Sequence, residues 1–294
     1  MDFLRVKKVK SLRFRKLYAD LITEEGTVCI VYQSWFDGLG LHRAYGAIEL
    51  YWAEGKREVI RASIPLEPPD LGEIGSELEF CLYLPEGQFV LHYEVETGPW
   101  DPPDPFPCDG LHWAVKVAKA NATGHWLGDN NRPELHGTGY ADWVELNCGL
   151  RGLGLRSVDW GRMHFPDETI IFNAIHFRSG EKWKQMAQWF LDGKMKASSS
   201  FRIGRWNDSF NLYLSDQSAE SESSVTIQPV RMLHSGRAID ARRFPNSLER
   251  RIVQTITGPI EETRWLSQAT RQNGQSLRRG WTLHDWILFG LNSE

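Results

Sequence analysis

Phe89-Val90-Leu91-His92-Tyr93-Glu94-Val95 alternates throughout: every odd position is large and apolar, and the even positions include a histidine and a glutamate. Side chains of an extended backbone point to opposite faces in turn. A strand here therefore gathers Phe89, Leu91, Tyr93 and Val95 on one side of a sheet. Short runs of the same kind precede it at Thr27 to Tyr32, Ala47 to Trp52 and Leu78 to Leu84. Others follow at Leu111 to Val117, Thr169 to Phe177, Phe210 to Leu214, Arg251 to Thr257 and Trp281 to Leu288. Runs of this length, separated by turn residues and with no βαβ rhythm, predict an all-β fold of sandwich or barrel type.

At one place helix and strand compete. Trp183, Met186, Ala187 and Phe190 have helical spacing within Glu181 to Leu191, but Asp192-Gly193 follows at once. An Asp-Gly pair between apolar runs is a hairpin signal, which favours a hairpin over Gln185 to Lys196. Gly98 to Pro107 holds five prolines and reads as a stiff loop or a lid, because proline cannot donate to a strand ladder. Ser215 to Ser224 reads as a polar turn. The glycine-rich stretch Cys148 to Gly154 is the expected joint between two halves, 1–147 and 148–294, which share no evident sequence repeat.

The 294 residues can bury a large core, and 41% are hydrophobic. A net charge of −4 argues against a nucleic-acid partner, which needs a surplus of Lys and Arg. Cys29, Cys81, Cys108 and Cys148 are scattered without a paired spacing, as buried thiols in a reducing compartment would be. No run is long and apolar enough to cross a bilayer, and Met1 to Lys10 lacks a signal-peptide core, so a cytoplasmic location is expected. The basic run Arg5, Lys7, Lys8, Lys10, Arg13, Arg15 and Lys16 reads either as a solvated edge strand guarded by lysines or as a peripheral contact with an anionic membrane. Oligomeric state leaves no trace in the sequence.

Walker, dinucleotide-fingerprint, HExxH and Gly-x-Ser-x-Gly patterns are all missing, so neither a cofactor nor a metal site is expected. The 13 tryptophans instead suggest a large aromatic core or the lining of a bulky apolar ligand site. Chemistry-bearing residues are densest in Gly137-Thr-Gly-Tyr140-Ala-Asp142-Trp143-Val-Glu145 and in Val158-Asp159-Trp160-Gly161-Arg162-Met-His164-Phe165. On a strand, Asp142 shares its face with Tyr140. Aromatic walls desolvate a carboxyl and raise its pKa, which makes a proton donor near neutrality. Arg162 could pair with Asp142, Asp159 or Glu145, and a close guanidinium would work the other way. His112 and His164 read as ordinary strand residues or as proton relays.

Gly139-Tyr140-Ala141-Asp142-Trp143 followed by Trp160-Gly161-Arg162 resembles the paired motif of the carotenoid 1,2-hydratase (hydroxyneurosporene synthase) and AttH-like family. Leu17 to Gly26 resembles that family's first strand and turn, and Gly280 to Trp286 its last strand. The resemblance implies two lipocalin-like antiparallel β-barrel halves packed together, with a pocket near their interface. Related two-barrel proteins are cofactor-free Diels–Alderases. It also implies a cofactor-free lyase, isomerase or cyclase acting on a hydrophobic alkene or polyene of terpenoid or carotenoid type. Asp142 is then the acid that protonates a C=C, and Tyr140, Trp143, Trp113, Trp160 and Arg162 line the substrate. The chain departs from the family at Ala141 and at Trp143-Val144-Glu145-Leu146, where members carry histidines. Glu145 would then have to activate water for hydration, although it faces away from Asp142. Protonation followed by cyclisation or rearrangement asks less of these residues, since tryptophan faces stabilise a cation. A pericyclase that only folds a polyene and a carrier of an isoprenoid or fatty ligand are the alternatives.

Overall fold

A computed structural model describes residues 13–38, 40–102, 110–129, 131–147, 154–178, 183–196, 200–206, 209–215, 222–238, 250–251, 254, 258–273 and 276–290. They form two curled antiparallel sheets. The first holds β1 (Arg13–Ile22), β2 (Val28–Gly38), β3 (Leu41–Tyr51), β4 (Arg57–Ala62), β5 (Glu77–Leu84), β6 (Gly87–Thr97), β7 (Leu111–Leu127) and β8 (Leu135–Leu146). Their order across the sheet is β4-β3-β2-β1-β8-β7-β6-β5. A two-way bridge between Ser63 and Tyr83 brings the ends of this sheet together.

The second sheet holds β9 (Leu155–His164), β10 (Glu168–Phe177), β11 (Trp183–Leu191), β12 (Lys194–Met195), β13 (Ser200–Trp206), β14 (Ser209–Ser215), β15 (Glu222–Arg237), β16 (Ile260–Asn273) and β17 (Ser276–Phe289). Its order is β12-β11-β10-β9-β17-β16-β15-β14-β13. The winding repeats although the sequence does not: in each sheet the last strand returns to pair with the first, β8 with β1 and β17 with β9.

Parity along the strands decides what each side chain covers. On β1, Leu17, Ala19 and Leu21 enter the core of the first sheet, beside Phe89, Leu91 and Tyr93. Tyr18 and Ile22 turn the other way, into a second apolar cluster. That cluster is shared, because Trp160, Ile171, Phe190, Leu233, Leu266 and Leu283 of the second sheet belong to it. A third cluster, around Met163, Phe172 and Ala187, lies within the second sheet. Slipping any seam strand by one residue would exchange its core and seam side chains, so burial on both faces pins the register.

Asp192 and Gly193 both take positive φ, 48° and 69°, as a two-residue hairpin turn requires, and β11 and β12 pair across them. The helical spacing of Trp183 to Phe190 gives way to that turn. Of the strand expected over Arg251 to Thr257, only Arg251 and Gln254 are among the described residues, and neither is in a strand. Arg250, Arg251 and Gln254 carry helical backbone, and the Gly258 N–H donates to the Gln254 carbonyl at 2.8 Å. The apolar positions of this run, Ile252, Val253 and Ile256, suit one helical turn as well as a strand.

β1 is central, flanked by β2 and β8, rather than the lysine-guarded edge expected. Of the basic run, Arg13 pairs with Glu145, Arg15 pairs with Asp37, and Lys16 lies over the rings of Tyr18 and Tyr32. Arg5, Lys7, Lys8 and Lys10 lie outside the described residues, as do Cys108, Cys148 and most of the proline-rich loop, the Cys148 to Gly154 joint and the Ser215 to Ser224 turn. Cys29 and Cys81 are free thiols. Among the described residues no helix is long and apolar enough to cross a membrane.

Candidate functional site

The seam between the sheets is aromatic and charged at its centre. Tyr140 and Asp142 of β8 point into it from the same face, and Tyr18 of β1 stands opposite Asp142 in the ladder. Asp142 is 5% exposed. Its Oδ2 accepts two hydrogen bonds, from the Trp113 indole N–H at 3.1 Å and from the Tyr140 hydroxyl at 3.0 Å. No donor among the described residues reaches Oδ1, and Asp142 makes no ion pair among them. Burial pushes its carboxyl up to about 6, against the Trp113 hydrogen bond, the Lys16 charge, the Tyr140 hydrogen bond and the more distant Arg162.

Arg162 is fully buried, and its partner corrects the expectation: it pairs with Asp20 of β1, not with Asp142, Asp159 or Glu145. The guanidinium also lies 5.2 Å from the Tyr140 ring centroid and 5.9 Å from that of Trp160. Burial raises Asp20 to about 7 in spite of Arg162, and the nearby Asp142 charge adds to the rise. Tyr18, Tyr140 and Trp160 pack edge-on or tilted, with centroids 5.3–6.3 Å apart. Trp100 holds Trp113 in place: its backbone bonds Val115 in both directions and its ring meets Trp113 at 5.6 Å.

The motif glycines have a packing cause. A Cβ on Gly139 would sit 2.6 Å from the Tyr93 ring, and one on Gly161 would sit 2.6 Å from Phe172 and 2.7 Å from His284. Tyr93 needs that space. Its hydroxyl accepts from the Asp20 N–H at 2.9 Å and reaches the Tyr140 carbonyl at 2.9 Å, tying β1 to β8 beside the site.

The structure thus brings together Tyr140, Asp142, Trp113, Trp160 and Arg162. Trp143 and Glu145 lie elsewhere, because the pleat sends odd positions of β8 away from the seam. Trp143 packs on Trp35 at 6.0 Å inside the first sheet, and Glu145 pairs with Arg13 at 2.8 Å near the surface. His112 is exposed, 3.8 Å from Asp101. His164 is buried, which holds its imidazole well below the usual range and hence neutral. Asp20, Trp100 and Tyr18 were missed from sequence. The clue to Asp20 was that Tyr18-Ala19-Asp20 repeats the spacing of Tyr140-Ala141-Asp142.

The matching windings allow residue-by-residue comparison of the halves. The opening hairpins end their pairing at Ile22 with Val28 and at His164 with Thr169. Aligned there, Tyr18 corresponds to Trp160 and Asp20 to Arg162. The ladders then place Asp142 opposite Tyr18 and Asp285 opposite Trp160, so the two aspartates correspond. Their surroundings differ. Arg264 grips both oxygens of Asp285, at 2.6 and 2.5 Å, and also contacts Glu262 and the Tyr32 hydroxyl. Asp142 has only neutral donors.

Among the described residues, cavities open where the two sheets meet. One, of about 290 Å³, lies between Thr97 and Lys119 on one side and Asp167, Glu168 and Phe190 on the other. Another, of about 440 Å³, lies between Arg57 and the stretch Met232 to Arg237. Among the described residues no three His, Cys, Asp or Glu side chains are grouped to hold a metal ion.

No family model and no curated protein matches the chain. Solved structures match its shape. CghA, solved with Sch210972, superposes with a TM-score of 0.68 at 13% identity, over 96% of this chain and 89% of CghA. Kievitone hydratase from Nectria haematococca gives 0.57 at 10% identity, over 94% and 88%. An AttH-like protein of Nitrosomonas europaea gives 0.51 at 13%, over 93% and 92%. At these identities the likeness is one of fold: the chain has the two-sheet architecture shared by CghA, kievitone hydratase and the AttH-like protein.

Proposed function

We propose that the protein is an enzyme that works without a cofactor, holds a hydrophobic alkene or polyene of terpenoid or carotenoid type in the seam, and protonates a C=C from Asp142. The observation that carries this reading is the contrast between the corresponding aspartates. Burial raises both carboxyls, but Arg264 grips Asp285 by both oxygens and opposes that rise, as it would for a structural carboxylate, whereas Asp142 is buried with no cation paired to it and is raised to about 6. Both of its donors converge on Oδ2, which leaves Oδ1 as the atom that carries and delivers the proton. The resulting carbocation faces Tyr18, Tyr140 and Trp160, whose rings stabilise positive charge. Return of a proton from a neighbouring carbon to Asp142 completes a cyclisation or rearrangement with no net gain of atoms. Hydration needs in addition a base for the attacking water. Glu145 is turned away from the seam, while Asp20 shares it. One shape neighbour, kievitone hydratase, is a hydratase by name.

A second reading has its own support: the Trp113 and Tyr140 bonds also satisfy Asp142 as a plain buried carboxylate. The protein would then be a carrier of the same apolar ligand, or a pericyclase that only folds it. Native mass spectrometry of the protein from its own host, wild type against Asp142→Asn, decides between them. Accumulation of an apolar ligand on the variant alone, with an altered compound on the wild type, supports acid chemistry. A gain of one water marks hydration, and an unchanged mass with altered retention marks cyclisation. The same unaltered ligand on both proteins overturns the acid role.

A further inference from the structure

The cavity beside Arg57 combines charge with an apolar exit, and nothing in the proposed chemistry uses it. Arg57 of β4 reaches over from the first sheet. Met232 to Arg237 of β15 form the facing wall. Arg57 Nη1 donates to His234 Nδ1 at 3.3 Å, and its Nη2 lies 3.4 Å from the buried Glu49, whose carboxylate also accepts from Tyr51. The remaining Arg57 donor, Nε, is buried without a hydrogen bond. Arg237 is exposed at the rim and makes no ion pair or hydrogen bond among the described residues. Glu49 pairs with the first of the two lining guanidinium groups, and Glu261 stands opposite the second, Arg237, in the β15–β16 ladder. The floor of the cavity is Leu233, which belongs to the shared seam cluster with Tyr18, Tyr32 and Trp160.

We infer that this cavity is a binding site for the anionic head group, of carboxylate type, of a ligand whose apolar chain passes Leu233 into the seam. The inference rests on the seam reading above and narrows it to an amphiphilic acid. Arg237, exposed at the rim, and the part-exposed guanidinium of Arg57 supply the charged donors. The exposed side chain of Met232 continues the apolar surface outward. A guanidinium matches a carboxylate in charge and in geometry, and a hydrogen bond to a charged group is worth more than one to its ester.

The test uses cis-parinaric acid, a fluorescent polyene carboxylic acid, and its methyl ester, each titrated into the full chain. Saturable binding of both, with the acid about tenfold tighter, is expected from one charge-assisted contact. Arg237→Gln then brings the acid to the level of the ester and leaves the ester unchanged. The variant removes no internal partner, so its fold is preserved, and circular dichroism checks this. Asp142→Asn keeps the preference, which separates head-group binding from the acid role. Equal binding of acid and ester in the wild type, or a preference that survives Arg237→Gln, overturns this inference alone. Absence of saturable binding of either probe overturns it together with the seam reading.

Discussion

Tyr18 and Trp160 meet across the seam with ring centroids 5.3 Å apart and planes at 75°, and each occupies the other's position in its own sheet. The next pair inward, Asp20 and Arg162, does the same. Residues that meet their own counterparts lie on a two-fold axis in a symmetric dimer. The two halves of this chain thus pack as the subunits of such a dimer would. Within one chain the counterparts are free to differ: a tyrosine faces a tryptophan, an aspartate faces an arginine, and only one of two aspartates is clamped.

The Asp20–Arg162 pair is buried on both sides, so removing one partner strands the other. Arg162→Met or Asp20→Asn is expected to lower stability by about 3–5 kcal/mol, and the double variant by clearly less than the sum. Urea unfolding of the four proteins measures this. Strict additivity would show that the two groups do not depend on each other. By contrast, Arg13–Glu145 has an arginine side chain 46% exposed, and Glu145→Gln should change stability by less than about 1 kcal/mol.

Much of this was legible in the sequence, for physical reasons. Period-two alternation is a local property, so Phe89 to Val95, Asp142 with Tyr140, and the Asp192-Gly193 turn were all readable in place. The partner of Arg162 was not. The sequence offered nearby carboxylates, whereas the pairing spans 142 positions and depends on how the two sheets face each other. Glu145 and Trp143 were readable as odd positions on a strand whose even positions carry the chemistry. The motif resemblance nonetheless drew them into the site, and the pleat takes them out.

Gly161 tests how tightly the motif is packed. A methyl group there would overlap the Phe172 ring and His284 Cβ, two side chains held on neighbouring strands. Overpacking of this kind costs about 1–3 kcal/mol, so Gly161→Ala is expected to lower the thermal midpoint by several degrees. A midpoint equal to wild type would mean that the seam yields easily at this point.

Burial of Asp142 has a consequence for stability against pH, and the sign is fixed by the direction of its shift. The folded carboxyl titrates at about 6, above the unfolded value of roughly 3.9. Between these values the folded state keeps a proton that the unfolded state releases. The contribution is therefore present in full below about pH 4 and is lost as pH rises through 6. Asparagine does not titrate. The stability of wild type minus that of Asp142→Asn should accordingly fall from pH 4 to pH 6, by at most about 1.4 kcal/mol per pH unit, and level off above pH 7. A difference that rises with pH over that window would place the folded pKa below the unfolded one and remove the basis for a proton donor.

Trp113 acts in the opposite sense to burial. Its indole N–H donates to Asp142 Oδ2 and favours the ionised form, the strongest of the influences that lower this pKa. Trp113→Phe keeps most of the ring packing against Trp100 and removes the donor. The Asp142 carboxyl should then titrate above its wild-type value, by an amount readable from the side-chain carboxyl carbon in an NMR titration of labelled protein. Tyr140→Phe removes the second donor to the same oxygen and should move the titration the same way, by less. If Asp142 donates the proton, each variant also shifts the falling limb of activity to higher pH by the amount the titration shows, because the reaction needs the protonated form. A carboxyl shift with no shift of the activity limb would separate the two. Asp142 would then be the residue that titrates, and the proton would come from another group in the seam, with Asp20 first in line at about 7.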